Sequence, residues 1–340
     1  MEQFDKSLCI SKQILQDHLN QNISSTIRLH GDGSDRSYFR IRSSDSKTKI
    51  LMQLGKNDSD RLKKEKYDWV EISKTLKSQN ILFPKIISTL PEQGAIIIED
   101  CGDTTLQNFL DIQIDNKESI KQIYHQCAII LSKLLEIKPQ KNSIWCKRSF
   151  DYNLLKKELD LFSRCFLTKF KLDENEKKEL EKDYHKLCSY ISLLPQVFVH
   201  RDFHSRNLML QKDKLWLIDF QDARLGPASY DLVSLCFDSY IDEFSKEDRS
   251  TLLFSTINYF SKKNDKKIVD SIRNSWKPVL IQRVCKAIGS FCYLSEQKKK
   301  GDYLRYIPVA LNILKSFQLA DERWPFLSGR LIERMYNEYE

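Results

Sequence analysis

The sequence predicts an α+β fold in which a small antiparallel-sheet lobe is followed by a large helical lobe. Three observations predict it. The first hundred residues alternate short runs of β-branched and aromatic residues with turn residues. Beyond Cys101-Gly102-Asp103, apolar residues recur at helical spacing in one segment after another. A single β-rich stretch, between Val197 and Phe220, interrupts the helical part. The expected division is residues 1–100 as an N-lobe of sheet plus one helix, and residues 101–340 as the helical C-lobe.

The elements follow in order. Residues 8–21 read as a short amphipathic helix. Residues 25–29, 36–42 and 48–54 read as strands separated by turn residues such as Gly31, Gly33 and the segment 43–46. Residues 58–78 form a charged amphipathic helix in which Leu62, Tyr67, Val70 and Leu76 recur at roughly helical spacing. Strands at 85–90 and 95–99 close the sheet. Helical patterning then covers 105–110, 117–136, 151–166, 174–192, 246–262, 270–297 and 304–319. Inside the β-rich stretch, residues 208–210 and 215–218 read as two strands joined by the polar turn Gln211-Lys212-Asp213-Lys214.

Composition narrows the class. The chain has 340 residues, 41% hydrophobic and 30% charged, which suits one large or two linked domains of an ordinary globular enzyme. The net charge of +8 is scattered, so it suits an anionic ligand or plain solubility and carries no nucleic-acid code. Nine singly placed cysteines, no C-x-x-C pair and no apolar leader argue for reduced thiols in the cytoplasm and against a zinc site. No run of about 18 apolar residues is present to span a membrane.

The chemistry concentrates in His200-Arg201-Asp202-Phe203-His204-Ser205-Arg206-Asn207 and Ile218-Asp219-Phe220. The first matches the kinase catalytic-loop pattern H-R-D-L-x-x-x-N with Phe for Leu, and the second matches D-F-G with Gln221 for Gly. Asn207 stands just before the first strand of the hairpin and Asp219 just after the second, which puts both at one end. A carbonyl oxygen and a carboxylate converging there suit Mg²⁺, a hard cation that takes oxygen ligands. Asp202, on the same loop, can orient an attacking hydroxyl and accept its proton. Each residue alone has a plain structural reading, as a turn residue, a cap or an accidental tripeptide; the spacing of all three around a hairpin does not. His200 reads as packing beneath the loop. His204 can touch substrate or phosphate or simply shape the loop, and Arg206 can contact an anion or pair with a carboxylate.

These residues carry a resemblance. The chain resembles the aminoglycoside phosphotransferase and choline kinase superfamily, which implies a protein-kinase-like bilobal fold. Within it the sequence is most similar to bacterial N-acetylmuramate/N-acetylglucosamine kinases, which phosphorylate the anomeric hydroxyl. The carrying segments are residues 31–40, 98–103, 199–209 and 218–235, with Gln282, Arg283, Lys286, Gly289 and Phe291 further on. The resemblance implies ATP and Mg²⁺ as cofactors, Asp202 as catalytic base, and Asn207 and Asp219 as magnesium ligands. It implies a hinge at Glu99, Asp100 and Cys101 that hydrogen-bonds adenine, and a phosphate-covering loop including Gly33, Ser34 and Arg36. Asp231 matches a brace for the catalytic loop, with a helix cap as the alternative. Asp222 and Arg224 are candidates for contacts to sugar hydroxyls or a lactyl carboxylate, or else a local ion pair.

Two departures stand out. The segment Gly31-Asp32-Gly33-Ser34-Asp35-Arg36 lacks the third glycine of G-x-G-x-x-G. The strand that should present a phosphate-binding lysine has Met52 or Gln53 in that place, leaving Lys49, Lys56, Arg40 or Arg42 to reach the phosphates, with Glu65 or Glu71 as helix partner. The expected activity is transfer of the γ-phosphoryl group of ATP to a hydroxyl of a small molecule, an amino sugar in cell-wall recycling. The alternatives are another hydroxyl acceptor (an aminoglycoside or choline-like compound), a protein kinase, for which no A-P-E segment is present, and a nucleotide-binding pseudokinase regulator.

Overall fold

The computed structural model describes residues 5, 7–29, 35–113, 115–299, 302–317 and 320–339. The chain divides into two units, residues 1–103 with 209–221, and residues 104–208 with 222–340.

The first unit opens with helix α1 (Lys12–Leu19), capped by the Ser11 hydroxyl, which accepts from the Ile14 amide. An antiparallel sheet follows, built from β1 (Ile23–Leu29), β2 (Ser37–Ser43) and β3 (Thr48–Gln53), and, after helices α2 (Lys56–Lys63) and α3 (Asp68–Ser78), β4 (Ile86–Leu90) and β5 (Ala95–Glu99). The strand order is β1-β2-β3-β5-β4. The register aligns Phe39 with Leu51 and Leu51 with Ile97, so apolar residues from three strands lie side by side on one face. Phe39 and Ile41 are fully buried while Arg40 and Arg42 between and beyond them are not, the alternation a half-buried strand requires. Leu15 of α1 joins this core, and Ile14 and Leu19 pack at its rim.

The single helix expected over 58–78 is two helices. Glu65 adopts the left-handed conformation (φ 56°), which breaks the helical ladder. The charged run Lys63-Lys64-Glu65-Lys66 has no apolar side chain to bury, so nothing holds that turn helical. An Arg61–Asp68 ion pair joins the two pieces.

The second unit is helical. It contains α4 (Leu106–Gln113), α5 (Lys117–Leu135), α6 (Tyr152–Cys165), α7 (Glu174–Ser192) and the short strand β6 (Gln196–Val199). The chain then forms the hairpin of β7 (Leu208–Gln211) and β8 (Lys214–Leu217). Lys212 and Asp213 both have positive φ, 50° and 60°, as a two-residue primed turn demands. From residue 209 this hairpin belongs to the first unit. The Leu217 amide donates to the Leu82 carbonyl, and Phe220 packs between Trp69 of α3, tilted to it, and Phe83, edge-on to it, with ring centroids at 4.8 and 5.6 Å.

The second unit resumes with β9 (Arg224–Pro227), α8 (Tyr230–Cys236), α9 (Lys246–Lys263), α10 (Lys266–Cys292), α11 (Ile307–Ser316) and α12 (Ile332–Glu338). β9 pairs antiparallel with β6 and lies beyond Phe220, where the β-rich stretch was expected to end. On α10, Gln282, Lys286 and Gly289 recur at i, i+4 and i+7 and so share a face. A Cβ at Gly289 would lie 2.7 Å from the Phe162 backbone, so its missing side chain is what lets α10 press against α6. Among the described residues, no helix is long and apolar enough to cross a membrane.

Candidate active site

In the first unit, the side chain of Asp219 is set by its neighbours. Phe220 is driven inward by Trp69 and Phe83, and Asp219 takes the left-handed conformation (φ 61°), leaving its carboxylate 44% exposed. Gln221, where the kinase pattern has Gly, donates from Nε2 to Asp219 Oδ1 at 2.7 Å. Arg36 NH1 lies 3.8 Å from the same oxygen, while Arg36 Nε and NH2 both donate to Asp58 Oδ2 at 3.2 and 3.0 Å.

The residues expected to cradle the nucleotide separate into groups. Gly33 and Ser34 lie outside the described residues. Arg40 grips Asp100 through two hydrogen bonds, at 2.6 and 3.0 Å, and pairs with Asp103 at 2.8 Å. It therefore fastens the segment 100–103 to β2. Glu99 pairs with Lys49 in the sheet register and accepts from the Lys85 amide. Burial pushes the Cys101 thiol up to about 12, so it is no nucleophile near neutral pH. Lys49 donates to Gln21 at 2.5 Å, and Glu65 sits exposed in the break between α2 and α3.

In the second unit, Asp202, Asn207 and His204 stand on the loop from β6 to β7. Asp231, in the first turn of α8, accepts from the amides of His200 (2.6 Å) and Arg201 (3.0 Å). Arg201 has φ 84°, a conformation an L-residue keeps only when its surroundings hold it, and Asp231 supplies that hold. Burial pushes the Asp231 carboxyl up to about 7 against the pull of these two amides. A second buried carboxylate, Asp238, accepts from the Ser205 amide at 2.8 Å. The His200 ring is fully buried, edge-on to Phe203.

Asp202 is ringed by cations. Lys286 Nζ lies 3.0 Å from its Oδ1 and Arg283 NH2 4.0 Å. Burial alone would raise the carboxyl's pKa, but Lys286, Arg201 and Arg283 outweigh it and hold it well below the ordinary carboxylate range. Arg201 in turn pairs with Glu158 of α6 at 3.2 Å, which also accepts from Gln282 of α10 at 2.9 Å. Asn207 Nδ2 donates to the Asp202 carbonyl at 2.9 Å, which commits the amide nitrogen and turns the carbonyl oxygen to other work. That oxygen is a hard donor of the kind magnesium takes, and so, in the first unit, is the half-exposed Asp219 carboxylate. No group of three or more His, Cys, Asp or Glu among the described residues could hold a metal by itself.

The candidate acceptor contacts are largely engaged with one another. Asp222 lies 3.7 Å from both Arg201 and Arg224, and the Arg224 guanidinium lies over Phe150. The Arg206 guanidinium lies over Tyr240 at 4.8 Å and Tyr303 at 5.7 Å. His204 is buried, edge-on to Tyr240, with Nε2 3.4 Å from Asn207 Nδ2; its Nδ1 has no hydrogen-bond partner among the described residues.

Burial drives the His204 pKa from 6.5 down to about 4, against Asp238 and Asp202 and with the help of Arg283 and Lys286. The unfolded ring titrates near 6.5, so the stability tied to a neutral buried ring is complete above that pH. It is lost as pH falls from 6.5 toward 4. His204→Gln is expected to melt below wild type at pH 7.5, with the gap narrowing at pH 4.5. Calorimetric scans at the two pH values read this, and an unchanged gap would contradict it.

Sequence reasoning gave no role to Lys286, Arg283, Glu158, Asp238 or Asp58. Gln282, Arg283 and Lys286 carried part of the resemblance, which was the available signal for two of them.

A model of the phosphotransferase enzyme family matches residues 26–258. The chain belongs to this phosphotransferase family. It is 27% identical over 295 residues to the N-acetylmuramate/N-acetylglucosamine kinase of Neisseria meningitidis serogroup B, covering 84% of this chain and 83% of that one. It is 26% identical over 289 residues to the enzyme of the same name from Pseudomonas aeruginosa, covering 82% and 79%. Among solved structures, an aminoglycoside phosphotransferase in complex with gentamicin superposes with a TM-score of 0.61 at 15% identity, covering 94% of this chain and 99% of that one. An ethanolamine kinase from Plasmodium vivax superposes with a TM-score of 0.57 at 18% identity, covering 84% and 80%. The fold of this phosphotransferase is thus the α+β fold of the aminoglycoside and ethanolamine kinases.

Proposed function

We propose that this phosphotransferase is a sugar kinase that moves the γ-phosphoryl group of ATP to the anomeric hydroxyl of N-acetylmuramate and N-acetylglucosamine. It would serve cell-wall recycling in the cytoplasm, where its nine free thiols stay reduced. The observation that carries the acceptor class is the charge around Asp202. Lys286 and Arg283, with side chains 14% and 12% exposed, stand beside the proposed base. A cationic aminoglycoside or choline would meet like charge there, whereas the lactyl carboxylate of N-acetylmuramate would meet opposite charge. The two relatives of the same name support the reading.

In this reading residues 1–100 cover the nucleotide and residues 101–340 carry the catalytic loop and the acceptor site. Backbone groups at Glu99, Asp100 and Cys101 take adenine. Asn207 and Asp219 would hold magnesium, which when bound would supply charge neutralisation on the phosphates. Asp202 orients the sugar hydroxyl and accepts its proton late, as befits a carboxylate held well below its usual pKa. Asp222 and His204 Nδ1 offer polar contacts to the sugar.

The test is ADP release from Mg·ATP with N-acetylmuramate, N-acetylglucosamine, gentamicin and choline in parallel. The two sugars should support turnover, N-acetylmuramate with the higher kcat/KM. Turnover confined to the cationic acceptors, or none on any, would contradict the proposal.

A further inference from the structure

A phosphoryl-transfer site of this fold needs a fixed cation on the nucleotide phosphates, ordinarily a strand lysine held by a helix glutamate. Here β3 offers Met52, fully buried, and Gln53 instead. Of the basic residues near that strand, Lys49 is tied to Gln21, Arg40 is committed to Asp100 and Asp103, and Arg42 and Lys56 are exposed side chains. Arg36 differs from all four. It stands just before β2 with its side chain 13% exposed, and its NH1 forms an ion pair with Asp219 at 3.8 Å.

The guanidinium is held from behind. Nε and NH2 share Asp58 Oδ2 at 3.2 and 3.0 Å, and Asp58 lies in the first turn of α2. The start of α2 comes close because Gly55 caps it: a Cβ there would lie 3.2 Å from Asp35 Cβ, the residue next to Arg36. The Tyr67 hydroxyl, within electrostatic reach of both Arg36 and Asp58, is 2% exposed and has no hydrogen-bond partner among the described residues. A planar, permanently charged fork, fixed by a carboxylate beside a half-exposed metal-type aspartate and next to a buried hydroxyl in want of an acceptor, is a phosphate grip.

We propose that Arg36, clamped by Asp58, is the residue that grips the ATP phosphates beside Asp219, so that an arginine–aspartate pair between the approach to β2 and α2 replaces the strand lysine and its helix glutamate. This rests on the reading of the chain as an ATP-dependent kinase. Tyr67 would add a neutral donor to the same phosphates. Asp58 is a positioning residue: it acts on the nucleotide through Arg36.

The experiment is isothermal titration of the full chain with Mg·ATP and, separately, with adenosine, which lacks phosphates. Arg36→Ala is expected to weaken Mg·ATP by roughly 30-fold or more, the size of a lost charge-assisted pair of hydrogen bonds, with adenosine affinity within about twofold of wild type. Arg36→Lys should recover part of the loss and Asp58→Asn should lose about tenfold, while Lys49→Ala should bind Mg·ATP as wild type does. Unchanged adenosine binding also reports that each variant is folded. Arg36→Ala and Asp58→Asn binding Mg·ATP like wild type, or Lys49→Ala losing it, would overturn the assignment while leaving the kinase reading intact. A wild-type chain that binds no Mg·ATP would overturn both.

Discussion

Asp202→Asn is expected to lower kcat by roughly a thousand-fold, the central range for removing a positioned proton acceptor. The substitution is nearly isosteric and keeps the backbone carbonyl to which Asn207 donates, so the loop's shape should persist. It removes the negative charge that Lys286 and Arg283 face at 3.0 and 4.0 Å. Some loss of stability follows, tempered because the Asp202 side chain is 24% exposed and because burial and the neighbouring Arg283 already lower the Lys286 pKa, which lets this ammonium shed its proton more readily. Affinity for Mg·ATP should change little if, as proposed, Asp202 acts on the acceptor. Single-turnover kinetics beside nucleotide titration separates the two, and a variant turning over near the wild-type rate would remove Asp202 from its role.

Asp219→Ala should act on the nucleotide as well. Wild type is expected to bind ATP more tightly when magnesium is present. In the variant the affinities measured with and without magnesium should converge, and turnover should fall by roughly a thousand-fold or more. The folding cost should be below about 1 kcal/mol, since Asp219 already sits at φ 61° and Ala adds only its poorer tolerance of the left-handed region, the carboxylate being half exposed and its Gln221 contact local. Persistence of the magnesium effect in a folded variant would contradict the assignment.

The parts of this molecule that were legible in the sequence are those whose cause is local. β1 to β5 announce themselves by alternation and turn residues, and the hairpin of β7 and β8 by two short apolar runs around a polar turn. The kinase-like pattern of residues 200–207 is legible because it sits within a few consecutive residues. The parts that were not legible depend on distant partners. Lys286 meets Asp202 across 84 positions, Arg201 meets Glu158 across 43, and Asp238 meets the Ser205 amide across 33. No periodicity within α6 or α10 reveals that their polar residues will meet, because that depends on how closely the helices cross at Gly289. Arg36 and Asp58 are only 22 positions apart, yet the pair was obscured by reading α2 and α3 as one helix. Helical period alone does not register a single left-handed residue such as Glu65.

Phosphorus and proton NMR of the product formed from Mg·ATP and N-acetylmuramate, with Asp202→Asn as the blank, tests the central claim most directly. One sugar 1-phosphate per ADP, its anomeric proton coupled to phosphorus and absent in the variant, is the predicted result; ADP without a phosphosugar, or a phosphate on any other hydroxyl, would contradict it.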